Sequence, residues 1–540
     1  MNVGEKIFQL RTAADISQEE LSERIGVSRQ SISKWEMGKT LPQIDKVLQL
    51  CELFQISTDT LLQDTHDITS VSSKANSQAK YFGTDGFRGE ANVNLTSMHA
   101  YKIGRFLGWY YASEHSGCKK IGYCPRIVIG KDTRRSSYML EYALVAGITA
   151  SGADAYMLHV TTTPSISYVT CQDEFDCGIM ITASHNPYYD NGIKIINRYG
   201  EKLDDKTIQY IEAYLDGNME ALGITQSDLP LGQGEHLGCI VDYVAGRNRY
   251  VAYLISLASH SYKHLRIGLD CANGASWMLA KAVFGALGAQ TVVIGAEPNG
   301  LNINSDCGST HIETLCRVVK QQHLDLGFAF DGDADRCIAV DENGNVIDGD
   351  KILYILGNRL YARGMLNRST VVSTVMSNSG LTESLKKLGI LCEQTAVGDR
   401  FVYECMQEND YWLGGEQSGH IIMRKYATTG DGILTAIMLT EEICDKKTSL
   451  SKLAEPMKTI PQYMQNIYVT NRQAVLTDKE LHNLIDHLKQ KDQQQGRIIL
   501  RSSGTEPLVR IMTEFPTIEK CKECVNEIVA FIKAKGYIHD

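Results

Sequence analysis

One serine, three aspartates and two glycine-rich polar loops in this 540-residue sequence have the types and spacing to do chemistry. The apolar run Ile179-Met180-Ile181 is typical of a buried strand, and it delivers Ser184 into a polar loop that Pro187 interrupts. A serine in that place can be a nucleophile, a phosphate carrier or a simple turn residue. Three distant stretches bear on the choice, and they are Asp331-Gly332-Asp333-Ala334-Asp335-Arg336, Gly415-Glu416-Gln417-Ser418-Gly419-His420 and Arg501-Ser502-Ser503-Gly504-Thr505-Glu506-Pro507.

The three aspartates follow the apolar segment 326–330, which is typical of a strand. Carboxylates at alternate positions of a loop can converge on one hard cation, and Mg²⁺ needs only a few protein oxygens. A calcium EF-hand loop is the rival interpretation, since Glu342 falls at its twelfth position. That interpretation fails because Arg336 stands where the sixth position requires glycine, and because a strand precedes the loop. A solvated acidic turn is the remaining alternative.

The other two stretches have the chemistry of ligand-binding loops. Glu416, Ser418 and His420 lie between glycines, which let backbone and side chains approach a ligand that needs both donors and acceptors, such as a sugar. Arg501 supplies a guanidinium, and Ser503, Gly504 and Thr505 supply hydroxyls and backbone N–H groups, which together suit a phosphate. Arg510 is a second candidate cation for that phosphate.

In this order the four stretches resemble the α-D-phosphohexomutase family, from about Tyr81 to the C-terminus. The resemblance implies a phosphoserine at Ser184 and an Mg²⁺ ion held by that phosphoserine with Asp331, Asp333 and Asp335. It also implies that the loop from Glu416 to His420 contacts the 3- and 4-hydroxyls of the sugar.

Two further positions match the same family. The stretch Tyr81–Gly89 resembles its opening motif, which places Arg88 at the active site, where a guanidinium can brace phosphate oxygens. Lys194 follows Ser184 closely and also matches, and it can either carry a proton or neutralise phosphate. Both roles remain open from the sequence.

The stretches Pro298–Asn304, Cys307–His311 and Val397–Arg400, together with Gln417, resemble the phosphoglucosamine mutase branch of the family. This adds Asp399 and Arg400 to the candidate substrate-binding residues. The resemblance implies interconversion of glucosamine 6-phosphate and glucosamine 1-phosphate through glucosamine 1,6-bisphosphate, in the supply of amino-sugar nucleotides and cell-wall precursors. A phosphomannomutase or phosphoglucomutase, or a regulator that senses sugar phosphates, are the alternatives.

The first 64 residues carry a different pattern, which that branch ordinarily lacks. Ser17 and Glu20 form a capping box, Gly26-Val27 marks a turn, and Ser28 begins a second short helix. The string Gln18–Gly38 resembles the Xre/Cro-like repressors, which implies that this part binds duplex DNA as a dimer. The candidate base-reading residues are Arg29, Gln30, Ser33 and Lys34.

A helical protein-interaction module is the alternative for this part. Residues 1–65 contain seven Lys/Arg and ten Asp/Glu, a net charge of −3, which disfavours non-specific binding to DNA.

The elements that position these residues alternate between strand and helix, which predicts an α/β protein with mostly parallel, helix-covered sheets. A smaller α+β domain follows. The predicted division is a helix-turn-helix domain (1–64), a flexible linker (65–80), three α/β domains (81–236, 237–341 and 342–457) and a C-terminal domain (458–540).

Bulk composition limits the function classes. The net charge of −10 argues against a chain devoted wholly to nucleic acid or to anionic membranes. Fifteen scattered cysteines, an odd number, favour reduced thiols over a disulfide framework. No signal-peptide pattern and no uncharged apolar run of about 20 residues is present, so we expect a cytoplasmic protein without a membrane partner. A homodimer is compatible with the sequence.

Overall fold

The structure is a computed structural model that describes residues 3–13, 16–36, 40, 42, 44–54, 80–83, 85–113, 123–225, 227–490, 496–502 and 508–538. The chain forms two compact units, Met1–Gln78 and Ala79–Asp540. The predicted linker 65–80 lies outside the described residues, apart from Lys80. None of the described helices is long and apolar enough to cross a bilayer.

The smaller unit is helical, as predicted. Ser17 Oγ accepts the Glu20 backbone N–H at 3.1 Å, and Ser28 Oγ accepts the Ser31 backbone N–H at 3.2 Å, so both predicted N-caps are present. The apolar stripes of the helices meet around Ile32, which is fully buried. The helices are α1 (Val3–Ala13), α2 (Gln18–Ile25), α3 (Arg29–Glu36) and α4 (Ile44–Phe54).

The larger unit combines four sheets with helices that cover them. Three of its sheets have a parallel core, and the fourth is antiparallel throughout. The helices are α5 (Ser97–Ala112), α6 (Arg135–Ala150), α7 (Thr163–Gln172), α8 (Asp205–Leu215), α9 (Val244–Ser256), α10 (Leu279–Ala286), α11 (Glu313–Gln321), α12 (Gly349–Ala362), α13 (Ser379–Lys387), α14 (Asp399–Glu408), α15 (Gly432–Lys446), α16 (Leu450–Ala454), α17 (Arg472–Thr477), α18 (Lys479–Gln490) and α19 (Ile518–Ala534).

The first sheet has the strand order β1-β2-β6-β5-β3-β4-β7. Its strands are β1 (Phe82–Gly83), β2 (Gly86–Glu90), β3 (Arg126–Lys131), β4 (Asp154–Val160), β5 (Cys177–Ile181), β6 (Asp190–Asn197) and β7 (Ile240–Asp242). Strand β5 is buried at every residue, because helices cover both faces of the sheet's parallel part.

The second and third sheets repeat this plan with fewer strands. The second has the order β12-β11-β10-β8-β9 and the third the order β14-β13-β15-β16. Their strands are β8 (Arg266–Asp270), β9 (Gln290–Ile294), β10 (Leu326–Phe330), β11 (Cys337–Asp341), β12 (Val346–Ile347), β13 (Thr370–Thr374), β14 (Leu391–Thr395), β15 (Leu413–Gly415) and β16 (Ile421–Met423). One apolar core, including Phe328, Val371 and Leu434, runs through both sheets.

The fourth sheet has the order β17-β19-β18 and packs against α18 and α19. Its strands are β17 (Gln462–Tyr468), β18 (Arg497–Ser502) and β19 (Leu508–Glu514). The predicted α/β class with a final α+β part is therefore confirmed.

The sheets are more mixed than the sequence predicts. Strands β6, β11 and β16 each pair antiparallel with the strand before them in the chain. In each case a short loop returns the chain directly, so no crossover helix is needed. These three loops contain Ser184, the aspartates and the residues Glu416 to His420.

Helices α5 and α6 approach each other closely through two glycines. A Cβ atom on Gly147 would lie 2.1 Å from the Tyr101 carbonyl oxygen, and one on Gly104 would lie 2.3 Å from the Leu144 carbonyl oxygen. Backbone atoms cannot yield as a flexible side chain would, so these positions set the distance between the helices.

We expect Gly147→Ala to lower the free energy of unfolding by about 1–3 kcal/mol, because the added methyl group forces the two helices apart. Gly285→Ala in α10 is the matched control, since a Cβ there meets nothing within 4 Å. The control should be neutral or stabilising by up to about 1 kcal/mol. Denaturant unfolding of the full chain measures both changes, and equal midpoints for the two variants would contradict the close approach.

Candidate active site

Ser184 lies three residues beyond the end of β5, in a left-handed backbone conformation with φ of 52°. The Thr182 N–H donates to the Gly192 carbonyl at 2.9 Å, and the Ser184 N–H donates to Thr182 Oγ1 at 2.9 Å. These two hydrogen bonds satisfy the backbone N–H groups of Thr182 and Ser184 where the loop leaves the sheet. A non-glycine residue holds this conformation only when its surroundings enforce it.

Two buried side chains enforce the shape of the serine loop. Arg134 Nη2 donates to the carbonyl oxygens of Ser184 and Asn186, both at 2.9 Å, while Arg134 Nε is paired with Asp132 at 2.8 Å. Asn304 Nδ2 donates to the same two carbonyls at 2.8 and 3.0 Å. Arg134 is completely buried, and we did not predict its role because the carbonyl oxygens that it holds lie 50 and 52 residues away in the sequence.

The structure brings the serine and the three aspartates together, as the sequence predicts. Ser184 Oγ donates to Asp331 Oδ2 at 2.5 Å. Asp331, Asp333 and Asp335 are buried, and each offers a carboxylate oxygen within 4.8 Å of the others. They lie in the loop between β10 and β11.

The donor set and its charge suit a divalent cation. Burial and the carboxylates of Asp335 and Asp333 raise the pKa of Asp331 well above its ordinary value. Among the described residues, Asp333 Oδ1 and Asp335 Oδ1 are buried without a hydrogen-bond partner. Buried carboxylate oxygens that converge and lack donors are what a hard cation with oxygen ligands requires.

Lys194 is the cation closest to this cluster. Its Nζ lies 2.9 Å from Asp333 Oδ2, 3.1 Å from Asp335 Oδ2 and 3.1 Å from Asp85 Oδ2. Burial alone lowers the pKa of Lys194, but these three carboxylates outweigh burial and raise it well above its ordinary value. Lys194 is therefore held as an ammonium ion, which can neutralise phosphate or protonate a strongly basic oxygen.

Arg88 lies on β2, on the other side of the serine loop. Its Nη1 donates to Asn186 Oδ1 at 3.2 Å, and its Nη2 pairs with Asp85. About a quarter of the side chain is exposed, so the guanidinium is partly accessible to solvent where it meets Asn186 of the serine loop.

The predicted sugar loop joins β15 to β16 and faces the aspartates. The His420 ring is 4% exposed, and its Nδ1 lies 3.6 Å from Asp335 Oδ1. The Gly430 N–H lies 3.1 Å from His420 Nε2. Burial lowers the pKa of His420, but the carboxylates of Asp335 and Asp399 outweigh burial and raise it to about 9. Glu416 accepts the Gly398 N–H at 3.0 Å, and Ser418 is exposed. The loop therefore presents a carboxylate, a hydroxyl and an imidazole to one cleft.

Asp399 and Arg400 open helix α14 and have different surroundings. Asp399 Oδ2 lies 2.7 Å from Lys202 Nζ and 3.7 Å from His420 Nε2, so it borders the sugar loop. Arg400 makes two hydrogen bonds to Asp205, at 2.7 and 2.8 Å, and one to Glu404 at 2.7 Å. Its guanidinium is thus engaged with other protein groups.

Arg501 and Arg510 face each other on the paired strands β18 and β19. Within the described residues, the Nε atom of each is buried without a hydrogen-bond partner. Burial, and then the charge of Arg510, lower the pKa of Arg501, because two adjacent guanidinium groups repel each other. The predicted partners Ser503, Gly504 and Thr505 lie outside the described residues.

The predicted DNA-reading residues all lie on α3. Arg29, Gln30 and Lys34 are exposed, and Ser33 is half-buried. The Arg29 guanidinium is 3.9 Å from the Glu19 carboxylate, a distance at which two exposed groups attract only weakly.

Family models match nearly the whole chain. The model described as phosphoglucomutase/phosphomannomutase α/β/α domain I matches residues 79–221, domain II matches 248–344, domain III matches 348–460, and the C-terminal domain matches 453–531. A helix-turn-helix model matches residues 7–61.

Similar curated proteins agree with these models. A phosphoglucosamine mutase from Lachnospira eligens is 57% identical over 458 residues, which are 85% of this chain and 99% of that protein. The phosphoglucosamine mutase of Bacillus subtilis is 45% identical over 456 residues, 84% of this chain and 99% of that protein. The chain belongs to the phosphohexomutase family, in its phosphoglucosamine mutase branch.

Solved structures share the fold of this phosphohexomutase. A phosphoglucomutase/phosphomannomutase family protein from Burkholderia thailandensis superposes with a TM-score of 0.68 at 23% identity, over 84% of this chain and 97% of that one. N-acetylphosphoglucosamine mutase from Aspergillus fumigatus, in complex with GlcNAc-6P and magnesium, superposes with a TM-score of 0.58 at 16% identity, over 83% and 94%. At these identities the likeness is one of fold.

We expect Asp333→Asn to weaken binding of Mn²⁺, used as a spectroscopic substitute for Mg²⁺, by at least about tenfold, because one carboxylate charge leaves the cluster. Electron paramagnetic resonance titration of the phosphohexomutase measures free Mn²⁺ directly. Asp325→Asn is the control, since Asp325 precedes the opposite end of the same strand β10 and caps the Arg266 N–H. Equal affinities in the two variants would contradict a metal site at the aspartates.

Proposed function

We propose that this enzyme interconverts glucosamine 6-phosphate and glucosamine 1-phosphate through a phosphoserine at Ser184 and a 1,6-bisphosphate intermediate. The observation that carries the proposal is the 2.5 Å contact between Ser184 Oγ and Asp331, inside a buried set of three carboxylates. The names of the curated relatives support the choice of sugar. The product would supply the synthesis of amino-sugar nucleotides and cell-wall precursors.

In the first half-reaction the phosphoryl group passes from Ser184 Oγ to the free hydroxyl oxygen of the sugar. The Oγ–P bond breaks, the sugar O–P bond forms, and the hydroxyl proton leaves to an acceptor in the cleft. Mg²⁺ at Asp331, Asp333, Asp335 and the serine phosphate would offset the charge of the transferring group.

The chain's own residues position the two reactants. Arg88 donates to Asn186 of the serine loop and Lys194 pairs with Asp333 and Asp335, so both can attract phosphate oxygens, with Lys194 as a proton donor to the departing serine oxygen. The loop with Glu416, Ser418 and His420 binds the sugar hydroxyls, and Asp399 borders it. Catalysis of this kind depends on positioning and charge more than on covalent chemistry by the protein.

The second phosphate of the bisphosphate requires its own site. Arg501 and Arg510 provide two guanidinium groups for it. The Glu416 carboxylate raises the pKa of Arg501, against the effects of burial and of Arg510. This supports a phosphate site next to the sugar loop. The bisphosphate reorients, so the phosphate that was distal meets Ser184, and the serine takes it back as product forms.

Glucosamine 6-phosphate should exceed glucose 6-phosphate by at least about tenfold in kcat/KM, a difference of roughly 1.4 kcal/mol that one well-placed polar contact can supply. Coupled assays with glucosamine, glucose and mannose 6-phosphates measure this side by side, and Ser184→Ala serves as the inactive control. Equal or reversed preference would assign the enzyme to the phosphoglucomutase or phosphomannomutase branch.

We further propose that the smaller unit binds duplex DNA as a dimer, through the N-terminal part of α3. Three of the four candidate side chains are exposed on that helix, and the family model for a helix-turn-helix supports the assignment. Ser184 and the three aspartates are all present. This supports an enzyme that also binds DNA, rather than a regulator whose mutase part is inactive.

Selection of random duplexes on the full chain at moderate salt should enrich a two-fold symmetric site. Gln30→Ala should weaken that site by about 1–3 kcal/mol at specific bases, because glutamine pairs with adenine edges. Gln49→Ala is the matched control, since Gln49 is an exposed glutamine on α4. No enrichment from the full chain, or an equal effect of both variants, would favour a protein-interaction module.

A further inference from the structure

Six side chains form a closed ring between the aspartate loop and the sugar loop, which we call the charge ring. Carboxylates alternate with nitrogen-bearing side chains around it. The consecutive contacts are Asp335–Lys194 at 3.1 Å, Lys194–Asp85 at 3.1 Å, Asp85–Lys202 at 3.1 Å, Lys202–Asp399 at 2.7 Å, Asp399–His420 at 3.7 Å and His420–Asp335 at 3.6 Å.

The charge ring joins three sheets of the larger unit. Asp85 lies in the turn between β1 and β2, and Lys194 lies on β6 of the same sheet. Asp335 comes from the second sheet, while Asp399 and His420 come from the third. Lys194, Asp335 and His420 are each less than a tenth exposed, so water screens these contacts poorly.

Lys202 is the ring member whose partners connect the first sheet to the third. Its Nζ contacts Asp85 on one side and both Asp399 carboxylate oxygens on the other, at 2.9 and 2.7 Å. Without this ammonium, Asp85 and Asp399 would be two carboxylates that repel each other across a half-buried gap. Removing one member of such a network leaves its partners uncompensated.

This repulsion would disturb both the residues near the serine loop and the residues of the sugar loop. Asp85 pairs with Lys194, which contacts the aspartates, and with Arg88, which contacts Asn186 of the serine loop. Asp399 is beside His420, which belongs to the sugar loop. Lys202 therefore lies between the groups that hold the phosphoryl donor and the groups that hold the sugar.

We propose that Lys202 is a positioning residue, which keeps the sugar loop aligned with Ser184 by joining Asp85 to Asp399. The inference rests on the proposed mutase reaction. In the transition state the sugar oxygen must meet the phosphorus in line. A loss of alignment therefore raises the free energy of the transition state more than it weakens substrate binding in the ground state.

Lys202→Met should lower kcat by at least about tenfold while KM changes by less than about threefold, because alignment rather than binding is lost. Lys202→Arg should recover most of the loss, since it restores a cation of similar reach. Tyr403→Phe is the matched control, because it removes a 2.7 Å hydrogen bond to Glu201 that joins the same two sheets outside the charge ring. We expect the control to stay within about twofold of the unmutated enzyme in kcat.

A double-mutant cycle tests whether Lys202 and Asp399 act through the same contact. Asp399→Asn should reproduce the loss, and the double variant should fall no more than about twofold below the worse single variant, because both changes open the same contact. Calorimetric titration with glucosamine 6-phosphate should give dissociation constants that differ little among the variants. Circular dichroism and melting temperature check that each variant is folded.

Three results would overturn the proposal. An unchanged kcat in Lys202→Met would do so, and so would losses that add in the double variant. An effect confined to KM and the dissociation constant would instead make Lys202 a direct ligand of the substrate. If the unmutated enzyme prefers another hexose phosphate, the proposed substrate fails while the same variants still test Lys202 with the preferred sugar.

Discussion

The mutual repulsion of three buried carboxylates is the constraint on which the active site depends. Asp331, Asp333 and Asp335 share one pocket without enough donors to satisfy their oxygens. A fold can hold such a cluster only where cations compensate it, and Lys194 supplies part of that charge at 2.9 and 3.1 Å. A divalent cation would offset much of the negative charge that remains. The carboxylate cluster is therefore unfavourable without compensating cations, and it is suited to phosphoryl transfer.

The topology of the sheets determines where these charged residues lie. Each of the three parallel cores ends in a short loop that returns into an antiparallel strand, and the three loops contain the serine, the aspartates and the predicted sugar-binding residues. Arg134 and Asn304 then fix the serine loop through its carbonyl oxygens. The charge ring joins the loops to one another. Positioning is thus distributed over residues that need not touch the substrate.

Local sequence pattern was enough to predict the strand that carries Ser184, the spacing of the aspartates and the two caps of the helix-turn-helix. These features depend on neighbours in the chain. Arg134 and Lys202 were not predicted, since the serine loop that Arg134 holds and the carboxylates that Lys202 joins are 50 or more residues away, and a lone cation in a polar stretch resembles a surface residue. The antiparallel return strands were underestimated for a similar reason, because apolar runs indicate burial but not direction. The assignment of Arg400 to substrate binding stays a prediction, and its guanidinium pairs with Asp205.

The central claim is that Ser184 donates the phosphoryl group that the product carries. The most direct measurement starts from enzyme whose Ser184 phosphate contains oxygen-18, mixed with unlabelled glucosamine 6-phosphate and quenched within one turnover. Mass spectrometry then locates the heavy phosphoryl group. The account predicts that it leaves Ser184, appears in the bisphosphate and the 1-phosphate, and is replaced on the serine by a light phosphoryl group. Product formation while the heavy group stays on Ser184 would contradict the account.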